Sequence, residues 1–485
     1  MELKNKLLFH QREAVEKLSK IKVGALFMEQ GTGKTITALE LCRMRLEQGK
    51  IDRIIWLCPC SAKQNIKQEI LKHAPDEILD KVTICGIETL SSSDRANVYL
   101  LDMVQAYRCY LVVDESLLVK NPMALRTKSI LRLAERCTYK LILNGTPISR
   151  NEADLFSQMY LLDWRILGYR SYWAFAANHL EYDPNIKGKI IRCLNTDHLA
   201  RKIAPYSYEK KKDECMTLPP KRDHGIPFHL TKEQWEHYEF VADELLLQLD
   251  EIKPETIYRL FSGVQAVACG RRVTFLNNDH MRSAPFFKDP RDNPRIQELL
   301  DLIDRINDEK CIIFCTYQSD VAQITELLNQ IYGENSAVPF NGTLPGRKRG
   351  KAVESFRDGA RFFVANRKCA GYSLNLQFCS NVIYYSNEWD LATYLQSQDR
   401  VHRYGQTKDV HIWEIYAAGT IDEKIQRSLS RKENLLVSFK EKVGLMDMQK
   451  IREFLNIRKG KERIVSTVYD CSNLIDVESV VGANA

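Results

Sequence analysis

The segment that most constrains the fold is a glycine-rich loop at residues 28–35, with the sequence Met-Glu-Gln-Gly-Thr-Gly-Lys-Thr. An apolar run at residues 24–27, typical of a buried strand, directly precedes it, and an amphipathic helical pattern follows over residues 36–47. A strand, a loop and a helix in this order form the phosphate-binding unit of nucleotide-binding α/β proteins. The sequence therefore predicts a nucleoside triphosphate site on a parallel sheet.

The residues of this loop have distinct expected tasks. Lys34 would neutralise the charge of the β- and γ-phosphates, and the hydroxyl of Thr35 would bind Mg²⁺. The strict motif begins with Gly where this chain has Met28, so the match depends on its second half, and a chance GKT in an unrelated loop is the alternative. The backbone would curl so that its N–H groups face the phosphates at Gly31, Thr32 and Gly33.

A pair of acids supplies the second part of such a site. Residues 110–113 read as a buried strand, and Asp114 and Glu115 follow at its carboxyl end, where open α/β sheets bind their ligands. Asp114 would hold Mg²⁺ through water, and Glu115 would orient and deprotonate the attacking water. Two acids after a strand are as often a solvated loop, but behind a phosphate loop they indicate ATP hydrolysis.

Length and composition predict a multidomain intracellular protein. The 485 residues exceed one ordinary core, and 44% hydrophobic with 27% charged residues is typical of globular proteins. No apolar stretch has the length of a membrane span and the start lacks a signal peptide's apolar core, so we expect no membrane contact. The expected location is the cytoplasm or nucleoid, or the host cytoplasm for a viral protein. The fourteen cysteines include no CxxC pair and are interpreted as small core residues.

Strand-like and helix-like segments alternate in two parts of the chain, which predicts an α/β fold with two parallel sheets. The intervening part is rich in Tyr, Trp and helical patterns and contains a basic, proline-bearing connector around residues 218–221. The predicted organisation is an ATP-binding lobe at 1–165, a helical insertion and linker at 166–287, a second lobe at 288–445 and a C-terminal tail at 446–485.

The second lobe has no phosphate loop and is expected to contribute cations instead. Arg400 and Arg403 are three residues apart, which predicts one helical face, with Gln396 one turn earlier. A guanidinium group at the γ-phosphate stabilises the transition state and can change the rate by ~10³ to 10⁵. A surface helix with ordinary salt bridges is the alternative interpretation.

From about residue 7 to residue 430, the chain resembles the Swi/Snf-type DNA-dependent ATPases of helicase superfamily two. The segments that carry this resemblance, in the family's motif order, are 9–11 (Q motif), 31–35 (motif I), 57–65 (Ia), 114–121 (II, with the Lys-Asn extension), 143–163 (III), 341–356 (after IV) and 396–406 (VI). The resemblance implies two RecA-like parallel-sheet lobes with a helical insertion, ATP and Mg²⁺ as cofactors, and Gln11 as the adenine-reading residue. Protein partners and oligomeric state are not implied.

Several positions depart from the family's motifs, among them Leu117, Ala370 and Ser373. Leu117 stands where the family usually has His, a residue thought to relay nucleotide state from motif II towards motif III. In motif V, Ala370 and Ser373 replace two glycines. The coupling of hydrolysis to movement, and the grip of the second lobe on nucleic acid, could therefore differ from the family pattern.

The resemblance also implies DNA as the partner, expected to be duplex and held by its backbone. Basic clusters in a chain of net charge +7 agree with a polyanionic partner, although such clusters are also ordinary solvated surface. Ser, Asn, Lys and Arg side chains can hold phosphates without reading bases. The candidates in motifs Ia, IV and V, each of which is as readily an ordinary surface or capping residue, are Ser61, Lys63, Asn341, Arg349 and Asn375.

Three functions fit these observations. The first is a DNA-dependent translocase that couples ATP hydrolysis to movement along DNA, largely without sequence preference. The second is a helicase that separates strands of DNA or RNA, although the Lys120-Asn121 extension is typical of the DNA translocases. The third is an ATP-dependent switch that binds nucleic acid without acting as a motor.

Overall fold

A computed structural model describes residues 2–145, 147–148, 151–184, 190–247, 254–277, 280–342, 344, 346–367, 374–432, 448–457 and 475–476. The chain divides into two compact units, Met1–Leu218 and Pro219–Ala485. Among the helices so described, none combines the length and apolarity needed to cross a lipid bilayer.

A six-stranded parallel sheet forms the centre of the first unit, in the order β3-β2-β4-β5-β1-β8 within the described part of the chain. These strands are β1 (Val23–Met28), β2 (Arg53–Cys58), β3 (Val82–Gly86), β4 (Cys109–Asp114), β5 (Tyr139–Asn144) and β8 (Ser207–Lys210); a separate hairpin comprises β6 (Leu180–Tyr182) and β7 (Ile190–Cys193). Alternate residues of β1 enter two different cores, Ala25 and Phe27 in one, Leu26 and Met28 in the other. Helices therefore cover both faces of the sheet.

The helices of the first unit fill these two cores. They are α1 (Phe9–Leu18), α2 (Lys34–Glu47), α3 (Lys63–His73), α4 (Asp76–Leu79), α5 (Thr89–Ser92), α6 (Asp94–Ala106), α7 (Leu125–Ala134), α8 (Asp154–Leu162), α9 (Tyr172–His179), α10 (Thr196–Ile203) and α11 (Lys212–Cys215). One face of the sheet packs against α1, α2 and α3, and the other against helices that include α7, α8 and α9.

The second unit contains another six-stranded parallel sheet among its described residues, in the order β13-β14-β12-β15-β16-β9. The strands of this unit are β9 (Lys221–Phe228), β10 (Arg271–Asn277), β11 (His280–Pro285), β12 (Cys311–Cys315), β13 (Ala337–Phe340), β14 (Phe362–Asn366), β15 (Asn381–Tyr384), β16 (Val410–Ala417) and β17 (Ile475–Asp476). Its helices are α12 (Lys232–Leu247), α13 (Pro254–Ala268), α14 (Pro294–Ile306), α15 (Gln318–Tyr332), α16 (Gly346–Asp358), α17 (Leu391–Gln398), α18 (Ile421–Ser430) and α19 (Met448–Phe454). Two parallel α/β sheets with flanking helices confirm the predicted fold class.

The interval 166–287, predicted as a helical insertion and linker, is shared between the two units. Phe175 and Leu199 pack in a core of the first unit, whereas α12 and α13 pack in a core of the second. The interval also holds strands that the sequence pattern did not indicate, and two of them, β8 and β9, complete the edges of the two parallel sheets.

A partly buried histidine in the second unit makes stability depend on pH. The Nε2 atom of His237 accepts a hydrogen bond of 3.0 Å from the backbone N–H of Val273. Burial, together with the charge of Arg272, lowers the pKa of His237 from 6.5 to about 4. Because the folded pKa lies below the unfolded value, this stabilisation is complete above pH 6.5 and is lost as the pH falls towards 4.

Replacing His237 by Gln, which can still accept through its side-chain oxygen but does not titrate, is expected to flatten this dependence. Between pH 7 and pH 5 the wild type should lose about 2 kcal/mol of unfolding free energy more than His237→Gln. Urea unfolding of both proteins at the two pH values measures the difference. Equal losses would show that His237 does not titrate in this range.

Candidate nucleotide site

The phosphate loop connects β1 to α2, as its sequence predicts. Gly31 and Gly33 have φ angles of +85° and +88°, which glycine adopts at little cost. A Cβ atom on Gly33 would lie 2.2 Å from Nε2 of Gln11, so a side chain is excluded there. Helix α2 begins directly at Lys34, and the N–H groups of a first helical turn have no acceptor within their own helix. This is the geometry that binds phosphate at helix amino termini.

Helix α1 is bound to the loop through two buried side chains. The carbonyl of Thr32 accepts from Nε2 of Gln11 at 3.0 Å and lies 2.8 Å from Nε2 of His10. The Oε1 atom of Gln11 accepts from the N–H of Leu8 at 2.9 Å. Gln11 therefore supports the loop; its part in reading adenine stays a prediction. His10 lies within the Q-motif segment 9–11, but its position in the sequence indicated no role of its own.

Three further hydrogen bonds hold the loop within its own unit. The Nζ atom of Lys34 donates to the carbonyl of Met28 at 2.8 Å and to that of Glu29 at 3.4 Å. The carboxylate of Glu29 accepts from the N–H of Lys212 at 2.8 Å, which links the loop to α11. The ammonium group of Lys34 is thus held over the loop by two of the loop's own carbonyl oxygens.

The acid pair lies at the carboxyl end of β4. Asp114 is buried, and its Oδ1 accepts from the N–H of Glu115 at 3.0 Å. Glu115 has φ 51° and ψ 54°, the left-handed conformation, which costs a residue with a Cβ atom about 1 kcal/mol or more. Burial and the nearby charge of Asp114 raise the pKa of the Cys58 thiol well above its usual range, so Cys58 stays neutral.

Both parts of the site lie at the same edge of the sheet. Strands β1 and β4 are parallel and flank β5, so their carboxyl ends are two strand spacings apart, about 10 Å. Asp114 and Thr35 offer a carboxylate and a hydroxyl, the hard oxygen donors that suit Mg²⁺. The residues present therefore fit a magnesium nucleotide between the loop and the acids.

Two candidate DNA contacts follow β2 at this same edge of the first sheet. Ser61 lies in the short 3-10 helix Cys60–Ala62, and Lys63 is the first residue of α3. Both side chains are exposed. A sugar-phosphate backbone at this edge could contact both side chains without any rearrangement of the core.

The helical face predicted for Arg400 and Arg403 is wrong. Helix α17 contains Gln396 but ends at Gln398, and both arginines lie in the turns that follow. The carbonyl of Arg400 accepts from the N–H of Leu376 at 3.1 Å, and Gly405 has a φ of +95°. These tertiary and turn contacts compete with a continued helix, and sequence spacing does not reveal them.

The remaining candidates of the second unit lie in two places. Arg403 donates from Nη1 to Oδ1 of Asn375, so a residue predicted for nucleic acid is joined to one predicted for the nucleotide. Arg349 instead donates to the carbonyls of Gly342 and Leu344, both at 2.9 Å, and thereby braces the loop that begins at Asn341 after β13. Ala370 and Ser373 lie outside the described residues.

Two family models and several known proteins match this chain. Residues 80–266 match the SNF2-related domain, and residues 294–405 match the helicase conserved C-terminal domain. The uncharacterized ATP-dependent helicase YqhH of Bacillus subtilis is 24% identical over 90% of this chain and 80% of its own length. The DNA repair and recombination protein RAD54 of Saccharomyces cerevisiae is 24% identical over 91% of this chain, which spans only 56% of that protein. The solved SWI2/SNF2 ATPase core domain of Sulfolobus solfataricus, 20% identical, covers 95% of this chain and 96% of its own, with a TM-score of 0.40.

Fold and site first define a class: an α/β protein with two parallel sheets, one of which carries a phosphate loop and an acid pair at its carboxyl edge. The SNF2-related domain, followed by the helicase conserved C-terminal domain, then defines the family. The chain is a Swi/Snf-type protein of helicase superfamily two and contains the ATPase core of that family.

Proposed function

We propose that this protein is a DNA-dependent ATPase that uses hydrolysis to move along DNA without reading its sequence. The observation that carries the proposal is the placement of Lys34, Thr35 and the Asp114–Glu115 pair at one sheet edge, with Ser61 and Lys63 exposed at the same edge. Because the ATP site and the side chains that would bind DNA phosphates lie on one edge, the bound nucleotide can affect the binding of DNA, and DNA can affect hydrolysis. The family membership and the DNA repair relative support the choice of DNA.

The proposed chemistry assigns one task to each residue. Lys34 and the N–H groups at the start of α2 hold the phosphates, and Glu115 orients the attacking water and accepts its proton. Thr35 and Asp114 would hold Mg²⁺, which neutralises phosphate charge when bound. The roles of Gln11, Gln396, Arg400 and Arg403 towards the nucleotide are proposed from the family resemblance alone.

The first experiment is steady-state ATP hydrolysis with no nucleic acid, duplex DNA, single-stranded DNA or RNA. We expect duplex DNA to raise the rate most, because the proposed contacts are to backbone phosphates, which a duplex carries on two strands, rather than to unpaired bases. A triplex-displacement assay on duplex DNA then measures movement. Preferential stimulation by single strands, with strand separation, would favour a helicase; no stimulation by any of the three nucleic acids would favour a switch.

Binding to DNA is expected to weaken steeply with salt, since counterions are released on phosphate contact. Lys63→Ala should lower the affinity for duplexes of any sequence and reduce the slope of log affinity against log salt by about 1. Lys72→Ala, an exposed lysine in the last turn of the same helix, is the matched control. Affinity that is unchanged between low and physiological salt would contradict a backbone contact.

A further inference from the structure

A buried polar pair lies directly beneath the acid loop. Ser116 follows Glu115 in the chain, and Gln158 lies in α8; both side chains are fully buried. The hydroxyl of Ser116 donates to Oε1 of Gln158 at 2.6 Å. The two residues are 42 positions apart, so this contact joins separate segments of the first unit.

The amide nitrogen of Gln158 holds a second segment. Its Nε2 donates to the carbonyl of Pro147, in the segment after β5, and to that of Asp154, in its own helix, both at 2.8 Å. Both donor hydrogens and the acceptor oxygen of this amide are therefore in use. One rigid group thus joins the acid loop, the segment after β5 and helix α8.

Helix α8 holds the far end of the acid loop as well. The hydroxyl of Ser157 donates to the carbonyl of Lys120 at 3.1 Å, and Nζ of Lys120 lies 3.6 Å from Oδ1 of Asp154. The loop that begins with the catalytic acids is thus bound to α8 at both ends. A displacement of this loop must move α8 or break these contacts.

The pair contributes position rather than net stability. Leu155, Met159 and Leu162 of the same helix are buried in an apolar core, where an apolar pair of the same shape would cost nothing in polar burial. Once one partner moves away, the other is left without its hydrogen bond in this core, which is unfavourable. The segment with Pro147 and the loop with Glu115 are therefore constrained to move together.

We propose that Gln158 is a positioning residue that couples the acid loop to the segment after β5, through Ser116 on one side and the Pro147 carbonyl on the other. This route supplies a connection where Leu117 has no polar group. This inference rests on the proposed function, because the coupling it describes is the effect of DNA binding on ATP hydrolysis.

The test uses the full chain and three variants: Ser116→Ala, Gln158→Met and both together. The double variant replaces the polar pair by an apolar pair of similar shape. The carbonyl of Pro147 loses its donor, but Pro147 is only half-buried, so we expect the variant to melt within a few degrees of the wild type. We expect its DNA-stimulated kcat to fall about tenfold, an ordinary coupling magnitude, with the KM for ATP unchanged. The fall in DNA-stimulated kcat of the double variant should equal that of either single variant, because the same link is broken in each case.

A second readout does not require DNA. Hydrogen exchange of the peptide that contains Pro147 is measured with and without a non-hydrolysable ATP analogue and Mg²⁺. The wild type should show a change on nucleotide binding, and the double variant should show none although it binds the analogue equally well.

The outcomes separate this proposal from the proposed function. A well-folded double variant with full DNA stimulation, or with the wild-type exchange response, would overturn the role of Gln158. A wild type without DNA stimulation would overturn the proposed function, while the exchange measurement would still decide whether Gln158 couples the two segments.

Discussion

Replacement of Lys34 by alanine is expected to lower the rate of ATP hydrolysis on the order of 10³-fold or more, to the background of the assay. Lys34 is the first residue of α2, and its ammonium group lies on the carbonyls of Met28 and Glu29, over the curl of the loop. No other cation of the loop itself, residues 28–35, can replace its charge. ATP hydrolysis is measured with and without duplex DNA, and nucleotide binding is measured with a fluorescent analogue.

Lys50→Ala is the matched control for this experiment. Lys50 is exposed and lies just beyond the opposite end of α2, so its loss changes the net charge equally without touching the loop. The control should hydrolyse ATP at the wild-type rate. Substantial turnover by Lys34→Ala would refute the assignment of this loop as the phosphate site.

Glu115→Gln is expected to lower kcat by about 10² to 10⁴-fold, while ATP is still bound, because the amide cannot accept the proton of the attacking water. Glutamine is the informative substitution here. It keeps the size of the side chain and bears the same left-handed backbone cost at φ 51°, so a change in the fold of the loop does not enter the comparison. Single-turnover hydrolysis and nucleotide affinity separate the two effects.

Glu77→Gln, at an exposed position of α4, removes an equal charge and should have no effect. The variant Glu115→Gln should also hold DNA in the ATP state for longer than the wild type, since release would await hydrolysis. Hydrolysis at the wild-type rate would mean that another group accepts the proton, and Glu115 would then be a residue of the loop's structure only.

The strands that sequence could predict are those buried on both faces. Strand β12 coincides with its apolar run at residues 311–315, and β2 extends its apolar run at residues 54–58 by one residue, Arg53. Strand β9, in contrast, starts Lys-Arg-Asp-His and alternates exposed with half-buried positions. It lies at an edge of its sheet, where one side is unpaired and charged residues are common, so no hydrophobic period marks it.

The same distinction applies to the site. The phosphate loop and the acids could be predicted because each is a local motif whose chemistry resides in a few consecutive residues. The Ser116–Gln158 pair could not be predicted, since it is formed by a contact between two segments that are 42 residues apart in the sequence. One signal was present in the sequence: two adjacent polar residues, Ser157 and Gln158, within the mostly apolar stretch from Leu155 to Leu162.

The edge strands β8 and β9 are consecutive in the chain, with β8 ending at Lys210 and β9 beginning at Lys221. Each pairs in parallel with a single neighbour, β1 and β16, and each six-stranded sheet, as far as the chain is described, comes from one unit. The genetic consequence is that a crossover or an inserted segment within codons 211–220 would leave all the strands of both sheets in place. Recombination or insertion at this point could therefore join different halves, or lengthen the connection between them, without removing a strand from either sheet.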